Sequence, residues 1–269
     1  MDTVKTWNEV FHGRNLAYSE NPQNQNQLFD MVKIGFLKEI FPKGQNKMLE
    51  VGCGTAFVSL YFSKRGYETT CLDINQSILN VARQNFKKEN AHGQFLVGDA
   101  EKLPFADNQF DVVCSFGLLE HFKDPQTAIT EMARVLKPGG LFFADIVPNR
   151  FSVQSLGNVF NFFVSLFYGL IKLKPRSGWE KGIRNFRPLY FENSFSWKKY
   201  RSFMEQADIK NLQVRGNRPF PRLTLPHAID KLYTTVLRLT VPLWKAFDHW
   251  DNPLSRFWGA GLWFWGYKS

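Results

Sequence analysis

A chain of 269 residues with 44% hydrophobic and 22% charged positions is long and apolar enough to bury a globular core, which excludes a disordered chain. Met1–Gly13 is mixed and polar, unlike a secretory signal, and Cys53, Cys71 and Cys114 show no C-x-x-C spacing, which argues against disulfides and a structural zinc site. The net charge of +10 is lopsided: residues 1–149 carry 15 Lys/Arg against 17 Asp/Glu, and residues 150–269 carry 19 against 7 together with seven of the eight tryptophans.

In chain order, Leu28, Phe29, Val32, Phe36 and Ile40 line one face of a helix. A short β-rich run follows at Met48–Val51, then a helix over Ala56–Arg65 that ends at Gly66, a good C-cap. The next strand reads at Tyr67–Leu72, and Ile78, Leu79, Ala82 and Phe86 mark the helix after it. Strands at Gln94–Val97 and Phe110–Ser115 come next. Asp124-Pro125 then supplies an N-cap and a proline for the first turn of a helix expected to stop at Lys137-Pro138-Gly139-Gly140. A fifth strand reads at Leu141–Val147. Near-continuous apolar strands with helices between them predict a doubly wound α/β fold, its parallel sheet covered on both faces.

Ligands of such sheets bind at the carboxyl ends of the strands. The first strand ends in Glu50-Val51-Gly52-Cys53-Gly54-Thr55, where Gly52 and Gly54 let backbone approach a ligand that a Cβ would push away. Asp73, 21 residues beyond Gly52, is placed to take both hydroxyls of a ribose. Asp99, after the third strand in Gly98-Asp99-Ala100, can accept from an adenine amino group. A dinucleotide fingerprint needs a small third residue, and Phe57 stands there. Glu50, just before the glycines, would repel a pyrophosphate and welcome a cationic amino group. The dinucleotide reading therefore loses.

The stretches L-E-V-G-C-G-T, L-D-I-N, G-D-A-E-K-L-P-F, F-D-V-V-C-S-F-G-L-L-E-H-F and R-V-L-K-P-G-G, in this order over residues 26–147, resemble the class I S-adenosylmethionine-dependent methyltransferases. The likeness is greatest to the subgroup holding the ubiquinone/menaquinone C-methyltransferases and many small-molecule methyltransferases. The resemblance implies S-adenosylmethionine as cofactor, with Gly52, Cys53 and Gly54 along its methionine moiety. It implies Asp73 and Ile74 at the ribose and adenine, Asp99 and Ala100 at the adenine, and Phe116 on the sulfonium side. It further implies a seven-stranded, mostly parallel Rossmann-like sheet whose last strand runs antiparallel. Leu212–Arg215 and Leu262–Gly266 are the candidates for the two remaining strands.

Methyl transfer from a sulfonium needs alignment of the acceptor, and oxygen or carbon acceptors also lose a proton. His121, in Glu120-His121 after the fourth strand, is the candidate general base. The other reading is that its side chain orders the loop or contacts the cofactor. Glu120-His121-Phe122 is also similar to cyclopropane fatty-acid synthases, without a counterpart for the rest of their site. His12, His227 and His249 read as structural or solvated. Ser115-Phe116-Gly117-Leu118 replaces the N-P-P-Y or D-P-P-Y of nucleic-acid amino-methyltransferases, so nucleic acid is disfavoured as a partner despite the positive charge.

Phe151–Ile171 holds no charged residue, yet Gln154, Asn158, Asn161, Ser165 and Lys172 form one polar stripe against a broad apolar surface. That is an amphipathic helix. One reading is a lid over the site with the apolar side in the core. The other adds membrane contact, through Trp244, Trp250, Trp258, Trp263 and Trp265 and the basic Lys172, Lys174, Arg176, Lys181, Arg184 and Arg187, which suit an anionic headgroup layer.

The expected organisation is a cap over 1–25, a cofactor-binding core over 26–149, and a completion of the sheet over 150–269 that adds an acceptor-binding or lid region, all in one structural domain. The expected function is methylation of a small lipophilic acceptor at carbon or oxygen by a cytoplasmic enzyme peripheral to a membrane. The alternatives are a soluble small-molecule O- or N-methyltransferase and a catalytically silent scaffold.

Overall fold

A computed structural model describes residues 3–11, 17–186 and 190–269; His12 and Arg187 lie outside the described residues. Helices α1 (Thr3–Phe11) and α2 (Gln25–Ile40) precede β1 (Lys47–Val51), α3 (Phe57–Ser63), β2 (Glu68–Asp73), α4 (Gln76–Lys88), β3 (Gln94–Val97), β4 (Phe110–Phe116), α5 (Gln126–Val135) and β5 (Leu136–Ile146). The second half adds α6 (Val153–Ile171), α7 (Pro175–Ile183), α8 (Trp197–Gln206), β6 (Ile209–Asn217), α9 (His227–Leu239), α10 (Val241–His249), α11 (Pro253–Trp258) and β7 (Gly261–Lys268).

The seven strands form one sheet in the order β3-β2-β1-β4-β5-β7-β6. Strands β1 to β5 pair in parallel, and β7 runs antiparallel to both β5 and β6. This is the doubly wound, mostly parallel sheet that the sequence predicts, and the order reverses between β1 and β4. The period of two sends neighbouring side chains to opposite faces. Phe142 packs with Met132, Tyr200 and Phe264 on one side, and Phe143 with Leu37, Phe62 and Trp263 on the other.

Local signals set most boundaries. Asn24 caps α2 through Gln27 N–H, and Asn75 caps α4 through the amides of Ser77 and Ile78. Asp124 accepts from Gln126 N–H at 3.0 Å, so α5 opens one residue later than expected. It also closes earlier. Leu136 already pairs with Phe110, and pairing resumes at Val112 with Leu141. The Lys137–Gly140 run is thus an irregularity within β5, with Gly139 at φ +72°, and not a helix end.

Two expectations for the second half are corrected. Trp244 and Trp263 are fully buried, Trp244 edge-on to Phe29 and Trp263 against Phe36, so neither reaches a headgroup layer. Helix α6 is turned the other way from the expected lid. Its polar stripe faces the protein: Asn161 is buried, donating to the Arg222 carbonyl and accepting from Thr224 N–H, while Gln154 exchanges bonds with the Arg222 backbone. Its apolar residues face out, with Phe163, Phe167 and Ile171 each 61% exposed. The backbone of 221–224 offers a carbonyl and two amides for pairing, and the side-chain amides of Gln154 and Asn161 pair them.

Candidate active site

A cleft of about 1080 Å³ opens over the carboxyl ends of β1 to β4. Glu50, Gly52, Cys53, Gly54, Asp73, Ile74, Asp99, Ala100, Phe116 and His121, all singled out from the sequence, line this one cleft. Its volume lies at the upper end of the roughly 300–1,000 Å³ usual for small-ligand sites, and so suits two ligands side by side.

The glycine turn is built for close approach. Gly52 and Gly54 have φ of +66° and +53°, and a Cβ on Gly52 would lie 2.7 Å from Leu118 Cδ1. Ala56 also sits left-handed, at φ +54°, just before α3. The turn is fixed from β2: Cys53 N–H donates to the Leu72 carbonyl at 3.0 Å and Gly54 N–H to Asp73 Oδ2 at 2.9 Å. Asp73 Oδ1 accepts from Asn75 N–H at 2.9 Å. Burial pushes the Asp73 carboxyl up, and these amides pull it partly back.

Glu50 lies beneath the turn, 3% exposed. Burial pushes its carboxyl up to about 7, although Ser59 donates to Oε2 from its amide at 2.9 Å and its hydroxyl at 2.5 Å. A buried carboxylate costs free energy unless paired, and a cationic ligand group beside it would be held for that reason. Asp99 is exposed and accepts from Glu101 N–H at 2.9 Å, with Ala100 buried behind it. Ile74 is 41% exposed, offering an apolar edge. Three carboxylates over a turn that lacks Lys and Arg fit a cationic nucleoside ligand and not a phosphate. On that chemistry the residues present fit S-adenosylmethionine.

His121 ends a 3₁₀ turn, Leu119–His121. Its Nδ1 lies 2.8 Å from the Phe191 carbonyl. A carbonyl only accepts, so Nδ1 carries the proton and the neutral ring keeps its lone pair on Nε2. Burial holds the imidazole below its ordinary value, against the opposite pull of the Phe191 carbonyl, the Glu192 carboxylate and a backbone bond to Gly117. Trp7 meets it edge-on at 4.8 Å and Tyr190 at 5.1 Å, and these two stack on each other at 5.1 Å. Asn193 fastens the turn, donating to the carbonyls of Leu119 and Phe122 and accepting from Tyr200 Oη. Below it Glu120, 1% exposed, accepts from Val147 N–H; burial pushes its carboxyl up to about 7.

Several lining residues were not foreseen: Trp7, Asp30, Lys33 and Arg222. Lys33 pairs with the buried Asp145 at 3.0 Å and stands over the Phe116 ring at 5.0 Å. Burial alone would raise the Asp145 carboxyl, but Lys33 and Arg218 outweigh it and hold the group below its ordinary value. Burial pushes the Asp30 carboxyl up, with Lys33 and Arg222 opposing. Asp30 and Lys33 stand three apart on α2, which was a legible spacing; Trp7 and Arg222 come from segments with no motif.

Residues 49–144 match a family described as a methyltransferase domain. The chain is similar to the ubiquinone/menaquinone biosynthesis C-methyltransferase UbiE of Dinoroseobacter shibae, 32% identical over 189 residues, covering 67% of this chain and 74% of that protein. It is also similar to the ubiquinone biosynthesis O-methyltransferase of Coxiella burnetii, 31% identical over 123 residues. That match covers 45% of this chain and 53% of the relative, so it spans about half of that protein's length. Among solved structures, phosphoethanolamine N-methyltransferase 2 of Haemonchus contortus in complex with S-adenosyl-L-methionine shares the fold, with a TM-score of 0.56 at 17% identity, covering 98% of this chain and 56% of that one.

Proposed function

The chain belongs to the class I S-adenosylmethionine-dependent methyltransferases, and from that premise we propose that it methylates a small lipophilic acceptor at oxygen or carbon, with His121 as the base, at the surface of a membrane. The cofactor supplies an activated methyl group on a sulfonium. Glu50 and the glycine turn would hold its amino-acid end, Asp73 and Ile74 the ribose and adenine, Asp99 and Ala100 the adenine, and Phe116 would face the sulfonium.

The observation that carries the reading is the bond from His121 Nδ1–H to the Phe191 carbonyl. It supports the tautomer in which Nε2 would take a proton from an acceptor O–H or C–H. The depressed imidazole pKa keeps that nitrogen unprotonated near neutral pH. Trp7 and Tyr190 flank it with flat apolar surface, which supports an aromatic or otherwise apolar acceptor body and sheds water from the reacting atoms. Asn26, Asp30 and Arg222 on the same cleft would meet a polar group at the acceptor's other end. The similarity to methyltransferases of ubiquinone and menaquinone biosynthesis supports a lipophilic acceptor.

The test is to incubate the protein with methyl-labelled S-adenosylmethionine and an organic extract of bacterial membranes. The reading expects label in the organic phase, on a species that mass spectrometry finds heavier by one methylene. Label confined to water-soluble products, with none in the organic phase, would overturn the lipophilic acceptor.

A further inference from the structure

Helix α6 presents its apolar side to solvent along its whole length. Leu156, Phe160, Phe163, Phe167, Leu170 and Ile171 are all 45–61% exposed, and Leu173 just beyond is 90% exposed. This surface is not a fold left incomplete, because the opposite side of the helix is committed. Asn161 and Gln154 bond the 222–224 backbone, and a Cβ on Gly157 would lie 2.6 Å from Pro221. Ser152 closes the helix start as a capping box.

Helix α7 locks against α6 at backbone distance. A Cβ on Gly169 would lie 2.6 Å from Gly178 Cα, and one on Gly178 2.7 Å from the Ser165 carbonyl. Phe162 meets Trp179 at 5.3 Å and Phe186 at 6.1 Å, and both partners stay about half exposed. The two helices thus pack as one plate, with the apolar side of α6 outside and Gln154 and Asn161 turned toward the 222–224 backbone. Its edge is basic: Lys172, Lys174, Arg176, Lys181 and Arg184 are exposed, and the only acid, Glu180, is paired to Arg176.

We infer that the α6–α7 hairpin is an interfacial anchor that seats the chain on an anionic lipid surface. It deepens the membrane part of the function proposed above and rests on that reading only for where the acceptor comes from. Two observations select lipid over a second copy of the chain. The basic rim would meet its own like charge in a symmetric pair, whereas an anionic leaflet complements it. A broad aromatic and aliphatic face bordered by Lys and Arg is also the composition of helices that lie in the headgroup boundary. No helix among the described residues is long and apolar enough to cross a membrane, so the plate lies in one leaflet. The inner side of α6 grips the segment carrying Arg222, which lines the cleft. Docking therefore brings the wall of the cleft to the lipid boundary, and a membrane-dissolved acceptor reaches His121 without crossing bulk water.

The full chain and the variant F163N/F167N, altered only at exposed positions, are sedimented with phosphatidylcholine vesicles with and without phosphatidylglycerol. Cofactor affinity, by titration of S-adenosylmethionine, serves as the check on folding. The anchor predicts binding to the phosphatidylglycerol vesicles that falls at least about tenfold in the variant, with cofactor affinity unchanged; burial of one large apolar side chain corresponds to roughly that factor or more. Equal vesicle binding by the variant would overturn it, as would absence of binding to either vesicle. A dimer in solution that F163N/F167N dissociates, without vesicle binding, would assign the face to a second copy instead. Methyl transfer to an organic-soluble product without vesicle binding would sink the anchor, and the membrane part of the proposed function with it, while leaving methylation of a lipophilic acceptor standing; vesicle binding without such transfer would keep the anchor and overturn the lipophilic acceptor.

Discussion

Glu50 is the residue whose environment most restricts the ligand. Held at about 7 by burial, its carboxyl is roughly half protonated at neutral pH in the free protein. The amino and sulfonium groups of S-adenosylmethionine favour the ionised form, so binding should expel a proton. Calorimetric titration at pH near 7 in buffers of different ionisation enthalpy should report release of up to about half a proton per cofactor. Glu50→Gln should abolish the release; persistence of an equal release in that variant would place the titrating group elsewhere. Glu50, Gly52, Asp73 and Asp99 were legible because each lies within a few residues of a strand end, where the backbone alone decides position. Trp7, Asn193 and Arg222 were not. Trp7 and Arg222 reach the cleft, and Asn193 braces its His121 turn, from remote segments, and only the packing of α1 and of the 190–193 and 219–226 stretches brings them there.

At the scale of elements, α6 shows what periodicity can and cannot say. The stripe Gln154, Asn158, Asn161, Ser165 was readable as a helix face, but a period of 3.6 marks two faces without saying which is buried. The 221–224 backbone, with carbonyl and amide groups to satisfy, decides it. Asn161→Leu makes this testable. It removes two bonds at a buried position and strands an amide and a carbonyl, which should cost about 1–3 kcal/mol in chemical denaturation. A neutral or stabilising effect would mean that the apolar side packs inward after all. Strands β1 to β4 were legible to within about a residue, whereas β6 and β7 extend beyond the expected Leu212–Arg215 and Leu262–Gly266 to Ile209–Asn217 and Gly261–Lys268, and the start of β5 at Leu136 depends on a partner across the sheet and not on its own sequence. Trp244 and Trp263 show the same limit, since composition counted them and only the fold shows that both are core.

For the whole molecule, the balance of buried acids governs the response to pH. Burial pushes Glu50, Glu120 and Glu192 up to about 7, so the folded state holds more protons than the unfolded one between roughly pH 4.5 and 7. Stability conferred by these groups is present below that window and is lost as pH rises through it. For the fully buried Glu50 and Glu120 the loss is on the order of 3 kcal/mol each. His121, held low by burial, acts the other way below pH 6.5, against the three glutamates and the likewise raised Asp30, Asp73 and Asp248. The melting temperature without cofactor should therefore fall between about pH 5 and pH 7.5, and a flat or rising profile would contradict the burial of these carboxyls. The same molecule divides its charge, with a near-neutral half around the cofactor cleft and a basic half carrying the outward apolar plate. On the proposed mechanism the chemistry joins the two at His121. Single-turnover methyl transfer to the organic-soluble acceptor fraction, comparing His121→Ala with the parent protein under saturating S-adenosylmethionine, tests that junction directly. The rate should fall roughly 10²–10⁴-fold with cofactor affinity unchanged, whereas an undiminished rate, or a loss matched by weaker cofactor binding, would contradict His121 as the base.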